Sequence, residues 1–289
     1  MIVQFPSPNP EWARKEDPNA LGQWHKYYST HPQYVLNLLR KGGAKIQMLP
    51  ATTWKCRSTV SFDCFIDGHL CKFDFNDHEA INRDEAEKYR CYFKFHYHKT
   101  HDVGPRAENL FPFSPVNIHD WDLYWKLAPT ITYRAEGKIL NNQAPAGNAI
   151  ARRKYVAEIL RKHYGKELDT ERYPKEEFFK LIRTASAIVC VPGARNNMLD
   201  RGQGQQMLFG ACTISPKLNT RLSFHSLLMP GEHYIECKPD YSDLITKIEW
   251  VRKNKNQAIL IGKQAQRLFL ETSTPKRQLD WIRQCIHRK

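Results

Sequence analysis

The chain has 289 residues, of which 41% are hydrophobic, so it can bury a sizeable core in one large domain or two modest ones. The sequence shows no secretory leader and no apolar run as long as a membrane span, which excludes an exported or membrane-spanning class and predicts a cytoplasmic protein. The eight cysteines include no CxxC pair, which predicts reduced thiols.

Positive charge is concentrated in the second half of the chain. Residues 1–130 carry 16 basic and 15 acidic side chains, whereas residues 131–289 carry 28 and 15. This asymmetry favours a polyanionic partner for the second half, such as a nucleotide, a nucleic acid or an acidic membrane surface. Solubility alone also explains a basic surface, so both interpretations stay open.

The first 130 residues predict a mixed lobe. MIVQF is a predicted strand, HPQYVLNLLRKGG a helix that ends at Gly42 and Gly43, and AKIQMLP a second strand. SFDCFIDGHLCKFDF alternates apolar and polar residues around Asp67-Gly68, which predicts a β-hairpin with Phe62, Cys64 and Ile66 on one face. The helix EAINRDEAEKY and the strand RCYFKFHYH complete this lobe.

After Pro129 the pattern alternates between strands and helices, which is typical of a mainly parallel sheet covered on both faces. TITYRA is the first predicted strand. Residues 148–164 form a predicted helix with one apolar face made of Ile150, Tyr155, Ile159 and Leu160. The later predicted elements are the helix PKEEFFKLIRTA, the strand SAIVCVPG, the loop RGQGQQMLFG entering a helix, the strands ACTISP and HYIECKP, and three closing helices.

Residues 186–216 contain the most specific pattern in the sequence: a buried strand, a turn, an Asp-Arg pair, two glycines, a short apolar helix and a second strand. Ligands of open α/β sheets bind beyond the carboxyl ends of the strands. This places Asp200, Arg201, Gly202 and Gly204 at a ligand-facing edge. Glycine amides and a helix N-terminus attract phosphate, and an arginine can hold two phosphate oxygens. Neither a Walker lysine motif nor a dinucleotide fingerprint is present, which disfavours kinases and dehydrogenases.

This segment resembles the donor domain of GT-B glycosyltransferases, especially the capsule-associated and protein O-glucosyltransferase group. The matching residues are Asp200-Arg201, the run from Gln205 to Cys212, and the strand TISP. The ending HYIECKPDYSDLITKIEWVRKNKNQAILIGKQAQRLF is similar to the family's strand, its DLxxxIxW helix and its GxxxQxxF helix. In the first half, KFDFNDH and CYFKFHY resemble the family's DxSD and YFK segments more loosely.

The resemblance implies an α/β fold of the GT-B type, with two Rossmann-like lobes and a cleft between them, the N-terminal lobe being reduced and containing the hairpin. The expected domains are an acceptor-side lobe at 1–130 and a donor-binding lobe at 131–289, with the last helix free to pack back on the first lobe. It further implies a nucleotide sugar, expected to be a UDP-sugar, as co-substrate, no tightly bound cofactor and no catalytic metal.

The resemblance also assigns roles in donor binding. In the family the arginine of the pair contacts the diphosphate, so Arg201 is the first expected cation. A glutamate that holds the ribose hydroxyls is replaced here by Gln205, which keeps hydrogen-bonding capacity. Arg152 and Arg153, in the first turns of the helix after TITYRA, are further donor-binding candidates, or are basic residues of a solvated helix face.

Transfer to a hydroxyl needs a base near the acceptor oxygen and positive charge near the leaving diphosphate. Asp77 is the favoured base, with Asp74 and His78 as neighbouring candidates at the end of the CKFDFNDH strand. The alternative is that one of these residues caps the helix starting near Glu79.

Two patterns could indicate a metal but favour other roles. Asp120-Trp121-Asp122 has the form of a DxD metal motif, yet its helix-like setting favours a solvated helix start. His96, His98 and His101 lack an evident third ligand, which favours stacking or hydrogen bonding.

Several acceptors fit the sequence. The favoured acceptor is a hydroxymethylated pyrimidine in DNA, as modified by phage enzymes acting in the bacterial host cytoplasm, because basic residues neutralise phosphates and aromatic rings stack on a flipped base. Four aromatic residues, which could equally be core, are candidates for this contact: Trp54, Trp121, Tyr124 and Trp125. Lipopolysaccharide, surface polysaccharide or protein acceptors are the alternatives. A nucleic-acid-binding module without enzymatic activity is the third hypothesis.

Overall fold

The computed structural model describes residues 1–6, 31–49, 61–76, 81, 83–104, 107–114, 126–130, 132–144, 149–193 and 197–288. The chain divides into two compact units. Unit 1 comprises Met1–His119, Arg221–Ser226 and Thr272–Lys289, and unit 2 comprises Asp120–Thr220 and Leu227–Glu271. No helix within the described ranges has the length and apolar character needed to cross a bilayer.

Unit 1 contains a mixed six-stranded sheet with the order β2-β1-β3-β4-β5-β6. Strand β1 pairs in parallel with β2, strands β1, β3 and β4 are antiparallel neighbours, and β4, β5 and β6 are parallel. The strands are β1 Ile2–Pro6, β2 Lys45–Leu49, β3 Ser61–Ile66, β4 His69–Asp74, β5 Cys91–Lys94 and β6 Leu110–Pro112. The helices are α1 His31–Lys41, α2 Arg83–Ala86 and, at the end of the chain, α8 Pro275–His287.

The predicted β-hairpin is confirmed. Strands β3 and β4 pair from Ser61↔Asp74 to Ile66↔His69. Asp67 and Gly68 have φ angles of 47° and 82°, as a two-residue hairpin turn with a right-handed twist requires. Strand β3 alternates between buried and half-buried residues and buries Phe62, Cys64 and Ile66 together.

Phenylalanine rings fill the core of unit 1. Phe73 stacks on Phe62 and Phe93, with ring centroids 5.5 and 5.0 Å away, and meets Phe113 edge-on at 5.0 Å. All four rings are buried. Because aromatic pairs in these arrangements gain about 1 kcal/mol beyond the area they bury, this cluster ties four strands into one core.

Helix α8 packs against α1. It begins at Pro275 after the N-cap Thr274, whose hydroxyl accepts the amide of Arg277 at 3.3 Å. A Cβ atom at Gly42 would lie 2.6 Å from the carbonyl oxygen of Pro275, so the close approach of the two segments requires glycine there.

Unit 2 contains an all-parallel five-stranded sheet with the order β11-β10-β9-β7-β8. The strands are β7 Ile139–Leu140, β8 Leu168–Asp169, β9 Ala187–Val189, β10 Thr213–Pro216 and β11 Ile235–Cys237. The helices are α3 Ile150–Tyr164, α4 Lys175–Thr184, α5 Arg201–Leu208, α6 Leu244–Lys253 and α7 Lys255–Ser273, the last two residues of which belong to unit 1.

The helices of unit 2 form two groups. Tyr164 of α3 donates to Glu249 of α6 at 2.9 Å. Phe179 of α4 lies 4.6 Å from Phe209, the residue that ends α5, and a side chain of α7 donates to a carbonyl of α5. The chain runs from β7 through α3 to the edge strand β8, returns through α4 to β9 on the other side of β7, and continues through α5 to β10. Because crossovers between parallel strands are right-handed, α3 lies on one face of the sheet and α4 and α5 lie on the other. The α/β class and the parallel sheet predicted for this half are therefore present.

Three details of the predicted elements are wrong. TITYRA is not a strand, because Ala135 has a φ of 56° and the amides of Glu136 and Gly137 donate to Thr184 at the end of α4. The short strand β7 follows instead. Helix α3 buries Val156, Leu160 and Tyr164, whereas Ile150 and Tyr155 are exposed.

The third correction concerns the two glycines after Arg201, which were predicted to lie in a loop. Gly202 and Gly204 are inside α5, which starts at Arg201. In unit 1, the predicted helix EAINRDEAEKY is observed as the single turn α2. Residues 87–89 are not helical, and residues 79, 80 and 82 lie outside the described part of the chain.

Candidate functional site

The candidate site lies at the carboxyl edge of the parallel sheet in unit 2, between β7 and β9. The chain leaves these neighbouring strands in opposite directions, since β7 leads to β8 on one side and β9 leads to β10 on the other. Loops diverge at such a switch point and leave a crevice, which is where open α/β sheets bind ligands.

Two amides that follow β7 close the base of this crevice. Asn141 is buried, and its Nδ2 donates to the carbonyl of Val189 at 3.0 Å. Gln143 Oε1 accepts the amide of Val191. Both side chains therefore hold the end of β7 against the end of β9.

Arg153 fastens the loops around the crevice. Its Nε and Nη2 donate to the carbonyl of Val191 at 3.3 Å, and its Nη1 donates to the carbonyl of Ala144 at 2.6 Å. Its Nη2 also donates to Asp200 Oδ2 at 2.8 Å. The guanidinium therefore joins the β7 loop, the β9 loop and the start of α5, and its charge is largely balanced by one carboxylate.

Asp200 is the N-cap of α5. Its Oδ1 accepts the amide of Gly202 at 2.9 Å, and its backbone carbonyl accepts the amide of Gly204 at 3.0 Å. Both glycine amides, which the sequence suggested as phosphate donors, are thus already hydrogen-bonded within the helix. Their observed role is to let α5 start at this point.

A second arginine of α3, Arg152, contacts the loop that follows β9. Arg152 Nη1 donates to Asn197 Oδ1 at 3.1 Å. Burial raises the pKa of the Tyr241 hydroxyl, and the charge of Arg152 opposes that rise, so the two groups are neighbours. Tyr241 has a φ of 61°, an uncommon value for a non-glycine residue. The loops after β9 and β11 therefore meet around Arg152.

A cavity of about 390 Å³ opens beside these residues. Its basic lining residues are Arg153, Lys154 and Arg161, opposed by Glu158. Asn141, Gln143 and Thr170 add neutral polar groups from the strand ends, and Ala157 completes the lining. Because the cations outnumber the carboxylates and the polar groups both donate and accept, the cavity suits a phosphorylated ligand with hydroxyl groups.

Two of the three glutamines of α5 are buried and one is half-buried. Gln203 is fully buried and its Nε2 donates to Thr213 Oγ1 at 3.2 Å and Ser215 Oγ at 2.9 Å, which ties α5 to β10. Gln206 Oε1 accepts the thiol of Cys190 at 2.9 Å. Gln205 is half-buried on the opposite side of the helix, which leaves the predicted ribose contact as a prediction.

In unit 1, the structure describes one of the three candidate bases. Asp74 is buried at the end of β4 and accepts hydrogen bonds from Tyr92 Oη at 2.7 Å, Lys94 Nζ at 3.1 Å and the amide of Asn76 at 2.8 Å. Lys94 is itself fully buried. The carboxylate is buried and its three donors organise the strand ends, which favours a structural role over that of a proton acceptor.

Other predicted site residues fall outside the described part of the chain. Arg201 has a described backbone position at the start of α5, but its side chain is outside the description. Asp77 and His78 are outside it, as are the acceptor candidates Trp54, Trp121, Tyr124 and Trp125 and the DxD residues Asp120 and Asp122.

The histidines at 96–101 do not gather as metal ligands. His98 is the N-cap of a 3₁₀ turn, and its Nδ1 accepts the amide of Thr100 at 3.2 Å, while His101 Nδ1 accepts the amide of His98 at 3.2 Å. The predicted hydrogen-bonding role is confirmed for these two. Over the described ranges, no group of three His, Cys, Asp or Glu side chains is arranged to hold a metal ion.

Sequence reasoning missed Asn141 and Gln143. The signal that could have found them is the apolar pair Ile139-Leu140, which is followed at once by amide side chains. The expectation that TITYRA was the strand placed the strand end several residues too early.

Comparisons with known proteins do not assign the chain to a family. No protein-family model matches the sequence, and no curated protein matches it. Among solved structures, the chain is similar to the crystal structure of Anabaena Alr3699/HepE in complex with UDP and glucose, with 11% identity and a TM-score of 0.46 over 88% of this chain and 89% of that chain. A TM-score at this level does not establish a common fold, so the function rests on the described residues.

Proposed function

We propose that unit 2 binds a nucleotide sugar and that the chain is a glycosyltransferase of the GT-B type. The observation that carries the proposal is the basic cavity at the switch point of the parallel sheet, lined by Arg153, Lys154 and Arg161. A nucleoside diphosphate supplies the negative charge and hydrogen-bonding groups that suit this cavity.

The reaction forms a bond between the acceptor oxygen and the anomeric carbon while the bond from that carbon to the diphosphate oxygen breaks. The acceptor hydroxyl gives its proton to a base, and the nucleoside diphosphate leaves as an anion. Lys154 and Arg161 stabilise the charge that develops on the leaving group, since fixed cations act most strongly where charge appears in the transition state. Arg153 holds the crevice in shape.

The other donor contacts are extensions of this proposal. Arg201 would hold the diphosphate and Gln205 the ribose of a UDP-sugar, as the family resemblance implies. Arg152 would approach the ligand from the Asn197 side of the crevice. The cations of the chain, and no metal ion, would balance the diphosphate charge.

Donor binding is tested by titrating UDP, other nucleoside diphosphates and UDP-glucose into the purified chain. Lys154→Gln and Arg161→Gln should each raise the Kd for UDP about tenfold, because each removes one charge-assisted contact with phosphate. Lys162→Gln is the matched control, since Lys162 follows Arg161 on α3 and is exposed outside the cavity lining. Equal affinities for all four proteins would refute the assignment of the cavity.

For the acceptor, we propose a hydroxymethylated pyrimidine in DNA. The excess of 28 basic over 15 acidic residues after residue 130 supports a polyanionic acceptor. Mass spectrometry of hydroxymethylated duplex DNA and of lipid-linked glycans, after reaction with mixed donors, decides between the acceptor classes. DNA binding should weaken steeply with added salt, whereas transfer only to a neutral glycan would exclude the DNA acceptor.

A further inference from the structure

A second cavity lies in unit 2, within the segment Leu227–Glu271. Its volume is about 570 Å³, and it shares no lining residue with the basic cavity beside Arg153. Its walls are the edge strand β11, the loop before that strand, and helices α6 and α7. Because small-molecule sites occupy about 300–1,000 Å³, the volume is sufficient for a small organic ligand.

Hydrogen bonds fix two walls of this cavity. In the loop before β11, the amide of Gly231 donates to the carbonyl of Tyr234 at 2.7 Å. At the junction of α6 and α7, the amide and the Nδ2 of Asn254 donate to the carbonyl of Trp250 at 2.9 and 2.8 Å. Since both walls are held by contacts of their own, the cavity is formed without a ligand, as most small-molecule sites are.

Apolar side chains make up one part of the lining. Trp250 of α6 is 39% exposed, whereas Ile235 of β11 and Ile261 of α7 are buried. An exposed indole in a concave site gives a flat apolar surface on which a ligand can stack. The ligand of this cavity therefore has an apolar face of its own.

Polar side chains make up the rest of the lining, and their charges cancel. Glu236 supplies one carboxylate and Lys247 one ammonium, and Thr246 and Gln257 add a hydroxyl and an amide. In the described part of the chain, the side chains of Glu236, Thr246 and Gln257 have no hydrogen-bonding partner. Lys247 Nζ makes a long ion pair, 3.9 Å from Asp243 Oδ2. The lining therefore offers donors and acceptors without an excess of either charge.

We propose that this cavity binds a neutral saccharide, with the C–H face of a sugar ring against Trp250 and its hydroxyl groups on the polar side chains around it. A phosphorylated ligand requires an excess of cations, which this lining lacks. A hydrocarbon chain would cover the polar side chains without pairing them, at a cost for each. A sugar ring meets both conditions, since it has an apolar face and a rim of hydroxyl groups that donate and accept.

This saccharide site goes beyond the proposed function and does not depend on it. The nucleotide sugar is assigned to the basic cavity, which has a separate lining in the same unit. The second cavity takes a saccharide without a nucleotide, so the chain has one site for a charged ligand and one for a neutral ligand.

The test is a titration of the full chain with cellobiose, maltose and chitobiose, measured by saturation-transfer NMR. We expect at least one of them to bind, and Trp250→Ala to raise its Kd about tenfold or more, because this variant removes the stacking surface. Trp250→Phe keeps a ring and should recover part of the affinity. Glu236→Gln should raise the Kd about threefold, because a hydrogen bond to a charged acceptor becomes one to a neutral amide.

The matched control is Tyr155→Ala, which removes an aromatic side chain that is 53% exposed in the same unit but outside the lining. Its Kd for the disaccharide should be unchanged, and Trp250→Ala should bind UDP as the wild type does. The proposal is overturned if the wild type binds none of the disaccharides, or if Trp250→Ala and Glu236→Gln bind them normally. It is also overturned if Trp250→Ala loses UDP binding. A wild-type chain that binds a disaccharide through Trp250 but does not bind UDP would refute the nucleotide-sugar function alone.

Discussion

Arg153 Nη2 donates to Asp200 Oδ2 at 2.8 Å, and this ion pair joins α3 to the first turn of α5 at the switch point of the unit 2 sheet. The two side chains are only 12% and 26% exposed. The pair is more than an attraction between charges, because the same guanidinium bonds two loop carbonyls and the same carboxylate caps a helix.

Arg153→Met should therefore lower the free energy of unfolding by about 2 kcal/mol. Removing one partner of a buried pair costs about 3–5 kcal/mol, and partial exposure of this pair reduces that value. Urea denaturation measures the change. Asp200→Asn should cost less, because asparagine also caps helices, and a double-mutant cycle between the two positions should show coupling of about 1 kcal/mol. Additive effects in that cycle would contradict the shared network.

Asp74 and Lys94 give a test of one of the two neighbouring base candidates, Asp74. Asp74→Asn should cost about 3–5 kcal/mol of unfolding free energy, because it leaves a buried ammonium without its counter-ion. Adding Lys94→Met should recover most of that loss. Equilibrium unfolding of both variants provides the measurement.

The double variant also distinguishes a structural role of Asp74 from a catalytic one. If Asp74 only organises the ends of β4 and β5, a folded Asp74→Asn/Lys94→Met chain keeps its catalytic activity. A double variant that is stable but transfers no sugar would support Asp74 as a base candidate.

The sequence predicted the elements whose signals are local. Asp67-Gly68 sets the hairpin, because both positions need positive φ, and Ala187–Val189 is recognisable as a buried parallel strand from its apolar run. The helices α4 and α8 followed from amphipathic spacing with proline at or near their starts.

The details that escaped prediction depend on distant contacts. TITYRA has the composition of a strand, yet its backbone bonds the end of α4, and the two-residue β7 carries too short a pattern to detect. The apolar residues Ile150 and Tyr155 indicated the wrong face of α3. Arg153 and Asp200 are brought together only by the tertiary fold, so spacing along the chain gave no sign of their ion pair.

Gly262 explains part of the GxxxQxxF pattern in α7 as packing. A Cβ atom at this position would overlap the carbonyl oxygen of Gly210, where the chain turns from α5 to β10. Gln266 Nε2, one helical turn later, donates to the carbonyls of Ala128 at 2.8 Å and Leu208 at 3.1 Å. The spacing of the motif thus places a close approach and a hydrogen-bonding amide on the same face of the helix.

Gly262→Ala should accordingly destabilise unit 2 by about 3 kcal/mol, because the clash outweighs the roughly 1 kcal/mol that alanine gains in a helix. The thermal midpoint and the urea midpoint should both fall. Gly193→Ala is the control, since a Cβ atom there meets nothing within 4 Å and the backbone is not in the left-handed region. Equal stability of the two variants would show that α7 can move away from the turn.

His233 predicts a loss of stability in acid. It is buried, its Nδ1 accepts the amide of Met229 at 3.0 Å, and burial lowers its pKa from the usual 6.5 despite the nearby Glu232. Protonation of Nδ1 breaks that hydrogen bond. The unfolded chain therefore takes up the proton at a higher pH than the folded chain does.

Stability should consequently decline as the pH falls below about 6.5 and level off once the folded state is also protonated. His233→Asn can keep an acceptor for the Met229 amide but does not titrate, so its free energy of unfolding should vary less over this window. Urea denaturation from pH 7.5 to 5 measures the difference, with His287→Asn as an exposed control. If the wild type and His233→Asn show the same pH dependence, the pKa of His233 is the same in the folded and the unfolded chain, which contradicts this prediction.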